Sequence, residues 1–158
     1  MKTKKLFKLA LAVIVTELAG ILGALFTTSA IPTWYANIVK PALNPPSWVF
    51  GPAWTLLYLL MGISAFLIWQ KGTKRKEVRV ALSVFAVQLG LNAIWSPIFF
   101  GAQNPGLALI DIVLMWFAIL YTMILFNKIS KPAMSLLIPY IAWVSFATYL
   151  NLAIWILN

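Results

Sequence analysis

The chain has 158 residues, 63% of them hydrophobic and 9% charged, with twelve basic residues against three acidic ones, a net charge of +9, and neither Cys nor His. A water-soluble domain is typically about 25% charged, so there is too little polar surface here to cover a soluble globule, and the chain belongs in a lipid bilayer. Lacking Cys and His, it has no disulfide framework, no thiolate nucleophile, no usual general base and no Cys- or His-ligated haem or metal, which argues against most acid–base and nucleophilic enzyme classes.

A spanning helix needs about 20 mostly apolar residues, since each rises about 1.5 Å through a hydrocarbon core about 30 Å thick. Five segments qualify: residues 6–30, 48–70, 80–100, 106–126 and 133–157. The fold predicted is a single all-α domain over residues 1–158, an integral membrane bundle of five transmembrane helices. The first span follows Lys2, Lys4, Lys5 and Lys8 and contains Glu17. Its apolar run to Ala30 is longer than the about 7–15 residues of a signal h-region, so it reads as a retained span. An acidic side chain in hydrocarbon is expensive, and Glu17 is either a functional group on a proton or substrate path or a hydrogen-bonded structural residue. Asp111, early in the fourth span, carries the same two readings.

Residues 31–47 hold four prolines and the pair Trp34-Tyr35, where a flexible linker would be rich in Gly and Ser. This loop reads as a preformed cap over the bundle. In the third span, at about 100° per residue, Gln88, Asn92 and Trp95 fall within about 60° of one another, while Ala86, Gly90 and Ala93 lie on the opposite side. The amide stripe needs partners and faces the interior or a wetted cavity, and the small face permits close helix approach. Trp54 and Tyr58, four apart on the second span, and Trp143, Ala147 and Leu150 on the fifth form matching stripes. A chamber walled by flat aromatics and a few amides suits a large planar apolar ligand. Trp69 and Trp155 read as interfacial anchors, and Trp116 has no assignment.

All the basic residues except Lys40 fall on the side of the N-terminus, the second loop (Lys71, Lys74, Arg75, Lys76, Arg79) and the fourth loop (Lys128, Lys131). Cytoplasmic loops carry such an excess, which predicts the N-terminus inside and the C-terminus outside. The net positive charge is then a topology signal and a contact with anionic membrane lipids, not a nucleic-acid footprint.

Several motifs in this chain resemble the TspO/translocator protein family, the tryptophan-rich sensory proteins. They are Trp34-Tyr35, Lys40-Pro41, Asn44-Pro45-Pro46-x-Trp48-Val49-Phe50-Gly51-Pro52-x-Trp54, Tyr58 and Met61-Gly62. Further along come Gln88-Leu89-x-Leu91-Asn92-x-x-Trp95-x-Pro97-Ile98-Phe99-Phe100-Gly101 and Pro139-Tyr140-x-x-Trp143-x-x-Phe146-Ala147-Thr148-x-Leu150-Asn151. The resemblance implies a five-helix protein, expected in a bacterial cell membrane, that binds protoporphyrin IX and synthetic isoquinoline and benzodiazepine ligands, with no resident cofactor or metal required.

It also implies that Trp54 and Trp143 flank the ligand, Asn92 makes a polar contact, Ala147 is a small position that modulates binding, and Trp34 and Trp48 are loop aromatics. A homodimer contact through Ala86 and Gly90 is implied as well. The cholesterol consensus of animal members requires a basic residue after its Tyr, and Tyr149 here has none, so cholesterol recognition is not expected. Three functions remain: a porphyrin-binding sensor or sequestering protein, a transporter of tetrapyrroles or other small hydrophobic molecules, and an enzyme of light-dependent porphyrin degradation with Trp54 and Trp143 as donors. In the last the tetrapyrrole supplies the photochemistry.

Overall fold

The computed structural model describes residues 2–158, apart from the side chain of Lys2, whose part in the basic N-terminal group lies outside the described residues. In chain order the elements are α1 (Lys2–Ala30), α2 (Trp34–Asn37), a 3₁₀ turn (Ser47–Val49), α3 (Phe50–Trp69), α4 (Lys76–Ser96), a π turn (Pro97–Gly101), α5 (Pro105–Ile129), α6 (Lys131–Ser135) and α7 (Ile138–Leu157). No strand occurs among the described residues. Five helical stretches are long and apolar enough to cross a membrane: Thr3–Ala30, Ser47–Trp69, Lys76–Gly101, Pro105–Ile129 and Lys131–Leu157.

Local chemistry sets the breaks. Asn104 caps α5, its side chain accepting from the Leu107 N–H at 3.0 Å, and Pro105 follows at the first helical position, where a missing N–H costs nothing. Pro97 cannot donate to the carbonyl four residues back, and the third span leaves α geometry there as a wider turn. The fifth span, expected as one helix, divides at Leu136 and Leu137, because the Pro139 ring conflicts with the carbonyl of Ser135, where α6 ends.

The spans form a closed ring. α1 packs on α3 and α4, α4 on α5, α5 on α7, and the α6–α7 segment returns to α3. Buried polar residues point inward, among them Thr16, Ser64, Gln88, Asn92, Ser96, Thr122 and Asn151, while Leu6, Phe7, Ile14, Leu25, Ile110 and Phe117 are exposed. Apolar surface outside and hydrogen-bonded polar groups inside is the arrangement a bilayer favours, and the protein is an integral membrane protein.

At the end bearing the basic loops the ring is filled by Met61, Ile68, Val78, Phe85, Ile119, Phe126 and Leu137, with Phe85 and Phe126 stacked at 5.8 Å. At the opposite end a smaller cluster of Tyr35, Phe99, Ala108 and Ile154 lies under the 31–47 segment. That segment is fastened to the chain's last residue: Asn158 Oδ1 accepts from the Val39 N–H at 2.9 Å, and its Nδ2 donates to the Val39 carbonyl at 3.0 Å.

Candidate functional site

The site originates in how α1 leaves its neighbour. In the basic half α1 lies hard against α3, because Gly62 has no side chain: a Cβ there would stand 2.6 Å from the Val13 Cα. The Thr16 hydroxyl donates to the Tyr58 carbonyl at 2.8 Å, and the Tyr58 ring rests on Gly20. Beyond Gly20 α1 turns to the third span, where the Ser96 hydroxyl reaches the Gly23 carbonyl at 2.8 Å, Thr27 and Ser96 share a hydrogen bond of 2.7 Å, and Phe26 packs on Gly101.

The diverging helices leave a cavity of about 400 Å³. Ile21, Ala24 and Thr28 of α1 face Trp48, Gly51 and Thr55 of the second span across its opening; all six are exposed and all six line it. Each trio follows the i, i+3, i+7 spacing of one helix face, so the opening is a slot between two helices directed at the bilayer.

The walls are aromatic. Trp54 stacks on Tyr58 with ring centres 5.6 Å apart and stands nearly perpendicular to Trp143 at 6.5 Å. Phe50 meets Trp143 edge-on at 6.3 Å, and Trp95 stacks on Phe99 at 4.8 Å. Trp95 is held by its indole N–H donating to Asn151 Oδ1 at 3.0 Å, and Asn151 in turn donates to the Pro105 carbonyl at 2.7 Å. Tyr35 closes the cap end, its hydroxyl donating to Asn44 Oδ1 at 2.8 Å. Burial pushes this phenol above its ordinary range, only partly offset by Asn44, so it remains a donor at neutral pH.

The floor is a directed chain of hydrogen bonds. The Tyr58 hydroxyl donates to Asn92 Oδ1, Asn92 Nδ2 donates to the Tyr140 hydroxyl at 2.9 Å, and that hydroxyl donates to Gln88 Oε1 at 2.7 Å. Two indole and amide donors, Trp143 Nε1 and Gln88 Nε2, are buried without a partner. In a dry site such a donor is costly to leave unpaired.

Of the residues singled out from sequence, Trp48, Trp54, Tyr58, Asn92, Trp95, Trp143, Ala147 and Leu150 line the cavity. Trp34 does not: its ring lies edge-on to Phe99 at 5.6 Å, and its neighbour Tyr35 faces inward instead. Gln88 is buried behind Tyr140, at the far end of that chain of hydrogen bonds, and does not line the cavity. Ala86 and Gly90 lie on the outer surface of α4, and a Cβ on Gly90 would meet nothing within 4 Å. Trp116 spans α5 and α7, donating to Ser145 Oγ at 2.8 Å.

Asp111 is buried, with Oδ2 unpartnered, and lies outside the cavity lining. Glu17 lines the cavity. Sequence reasoning missed the contribution of Gly20, Ala24, Thr27, Ser96, Phe99, Ile112 and Met115. The small stripe Gly20, Gly23, Ala24, Thr27 on the first span was the signal available, since it marks the α1 face that other elements approach. Among the described residues no three His, Cys, Asp or Glu side chains gather to hold a metal.

The TspO/MBR family profile matches residues 12–156 of this chain. The tryptophan-rich protein TspO of Chlorobaculum tepidum is 45% identical over 155 residues, covering 98% of both chains. The translocator protein of Bos taurus is 41% identical over 88% of this chain and 83% of its own length, and the tryptophan-rich sensory protein of Cereibacter sphaeroides is 40% identical over 82% and 81%.

Proposed function

Since the chain belongs to the TspO/MBR family, we propose that its cavity binds protoporphyrin IX and related planar hydrophobic ligands, and that the protein acts in tetrapyrrole sensing, sequestration or regulation. The observation that carries this reading is the aromatic corner of Trp54, Tyr58 and Trp143 over an amide floor in a cavity of about 400 Å³. That volume falls within the usual range of about 300–1,000 Å³ for small-molecule sites. Rigid rings offer a flat ligand large contact area and lose little conformational freedom on binding it. The slot between α1 and the second span gives a lipophilic molecule a way in from the bilayer without passing through water. Binding of this kind requires neither a catalytic group nor a resident cofactor. Titration of protoporphyrin IX into the solubilised protein is expected to quench tryptophan fluorescence saturably, with affinity reduced about tenfold or more in Trp54→Ala or Trp143→Ala, the loss of one stacking contact. Unsaturable quenching, equal in all three proteins, would sink the proposal.

A second reading, light-dependent degradation of the bound porphyrin, draws support from the same corner, where two oxidisable indoles stand 6.5 Å apart on the wall. It requires that illumination with protoporphyrin IX and oxygen give a product whose rate falls when Trp54 and Trp143 become Phe. Transport is the third reading, in keeping with the name of the animal relatives. Two further proposals concern assembly: the N-terminus lies in the cytoplasm of a bacterial cell with the C-terminus outside, and a second copy packs on the exposed Ala86 and Gly90 face. Membrane lipids cover the remaining apolar surface.

A further inference from the structure

We propose that the end of the cavity away from the cap, beside the slot, is a site for a positively charged aromatic ligand, a planar ring system bearing a cationic nitrogen, with Glu17 as its counter-ion. The proposal rests on the reading of the cavity as a ligand site and adds the charge class that its far end accepts.

Glu17 sits where α1 touches α3. Its neighbour Thr16 is bonded to the Tyr58 carbonyl, and Gly20, one turn along, carries the Tyr58 ring, so Glu17, half-buried and on the same α1 face as Ile21, Ala24 and Thr28, borders the slot beside that ring. No Lys or Arg lines the cavity, and Glu17 makes no hydrogen bond or ion pair among the described residues. The described ion pair of the chain, Arg75 with Glu77, lies in the basic loop, and the nearest basic residue on α1, Lys8, is more than two turns away against the Trp69 ring. A carboxyl in a membrane-embedded apolar wall with no protein partner is expensive, and it is relieved by a ligand that brings the missing positive charge.

The surroundings favour the same guest. Trp54 and Trp143 present ring faces nearly at right angles beside Tyr58, and a cation placed among aromatic faces is attracted by their quadrupoles, most strongly where water is excluded. The cavity is therefore polarised. The end away from the cap carries a carboxyl, whereas at the cap end the Lys40 ammonium stands 4.9 Å from the ring of Tyr35, which lines the cavity. A ligand with acidic groups enters with those groups held at the cap; one with a cationic nitrogen can seat that nitrogen against Glu17.

Three tricyclic probes of equal shape test the charge preference by tryptophan quenching in the solubilised full chain: 10-methylacridinium, neutral 9-methylanthracene and 9-anthracenecarboxylate. Glu17→Gln is expected to weaken 10-methylacridinium by about tenfold or more, leave 9-methylanthracene within about twofold, and tighten 9-anthracenecarboxylate. Glu17→Asp is expected to keep the wild-type order. Opposite shifts of the two charged probes cannot come from a damaged fold. Parallel shifts, loss of all three probes, or no change would overturn the proposal. If protoporphyrin IX still binds the wild type while 10-methylacridinium fails to bind or ignores Glu17, the charge assignment fails alone; if neither protoporphyrin IX nor any of the three probes binds the wild type, the cavity reading fails with it.

Discussion

Tyr140 has no exposed surface, yet its hydroxyl joins two amides, accepting from Asn92 and donating to Gln88. Replacing it with Phe strands a buried donor and a buried acceptor, each costing about 1–3 kcal/mol. Thermal unfolding of Tyr140→Phe in detergent is expected to show a clearly lowered Tm together with weaker porphyrin binding, because Asn92 loses the partner that orients it at the floor. An unchanged Tm would mean that the chain of hydrogen bonds does not hold the floor. Asn92 was legible in the sequence because an amide in an apolar span must find partners, and Trp54 and Trp143 because their stripes matched it. Gln88 shares the angular position of Asn92, but helical angle carries no information on depth, and four residues place it behind Tyr140. The resemblance implies Trp34 as a loop aromatic, but the short α2 turns the Tyr35 phenol inward and leaves the Trp34 indole edge-on to Phe99.

The position of the cavity follows from Gly62, and Gly90, on the outer surface of α4, has no part in it. Gly62 admits α1 against α3, and an added methyl would collide with the Val13 backbone, which has no side-chain freedom to yield. Gly62→Ala is therefore expected to cost about 1–3 kcal/mol and to change ligand affinity by shifting α1, read as a fall in Tm alongside altered porphyrin titration. Gly90→Ala meets open space and is expected to leave both unchanged, whereas Gly90→Leu is expected to reduce cross-linked dimer without touching porphyrin affinity. A dimer yield insensitive to Gly90→Leu would exclude that face as the contact. Hydropathy located all five spans, since lipid imposes length and composition on each of them separately. It contained nothing about where α1 diverges from α3, which depends on which glycine faces which backbone. Pro97 and Pro139 were visible as residues, but whether a proline bends, widens or divides a helix is decided by the neighbours that satisfy the freed carbonyl.

Across the molecule the ring of spans reverses the soluble pattern, with polar residues inside, apolar ones outside, and the basic residues other than Lys40 gathered at one end. That end is densely packed while the other holds the cavity and its Pro-rich cap, so the proposed ligand site is confined to one half of the membrane. The basic end is expected in the cytoplasm, and a reporter fused after Asn158 that is active only in the cytoplasm would contradict this. Composition argues against His- and Cys-based chemistry, and the proposed tetrapyrrole would accordingly be held by stacking and not through a His or Cys ligand. The central claim is that this cavity is where a planar tetrapyrrole binds, and filling it is the most direct test. With protoporphyrin IX titrated into the solubilised protein, the Soret band is expected to shift saturably at one porphyrin per chain, and Ala147→Phe, which places a ring in the cavity without removing any tryptophan, is expected to abolish the shift at unchanged Tm. A saturable shift of the same size and affinity in a folded Ala147→Phe protein would contradict the account.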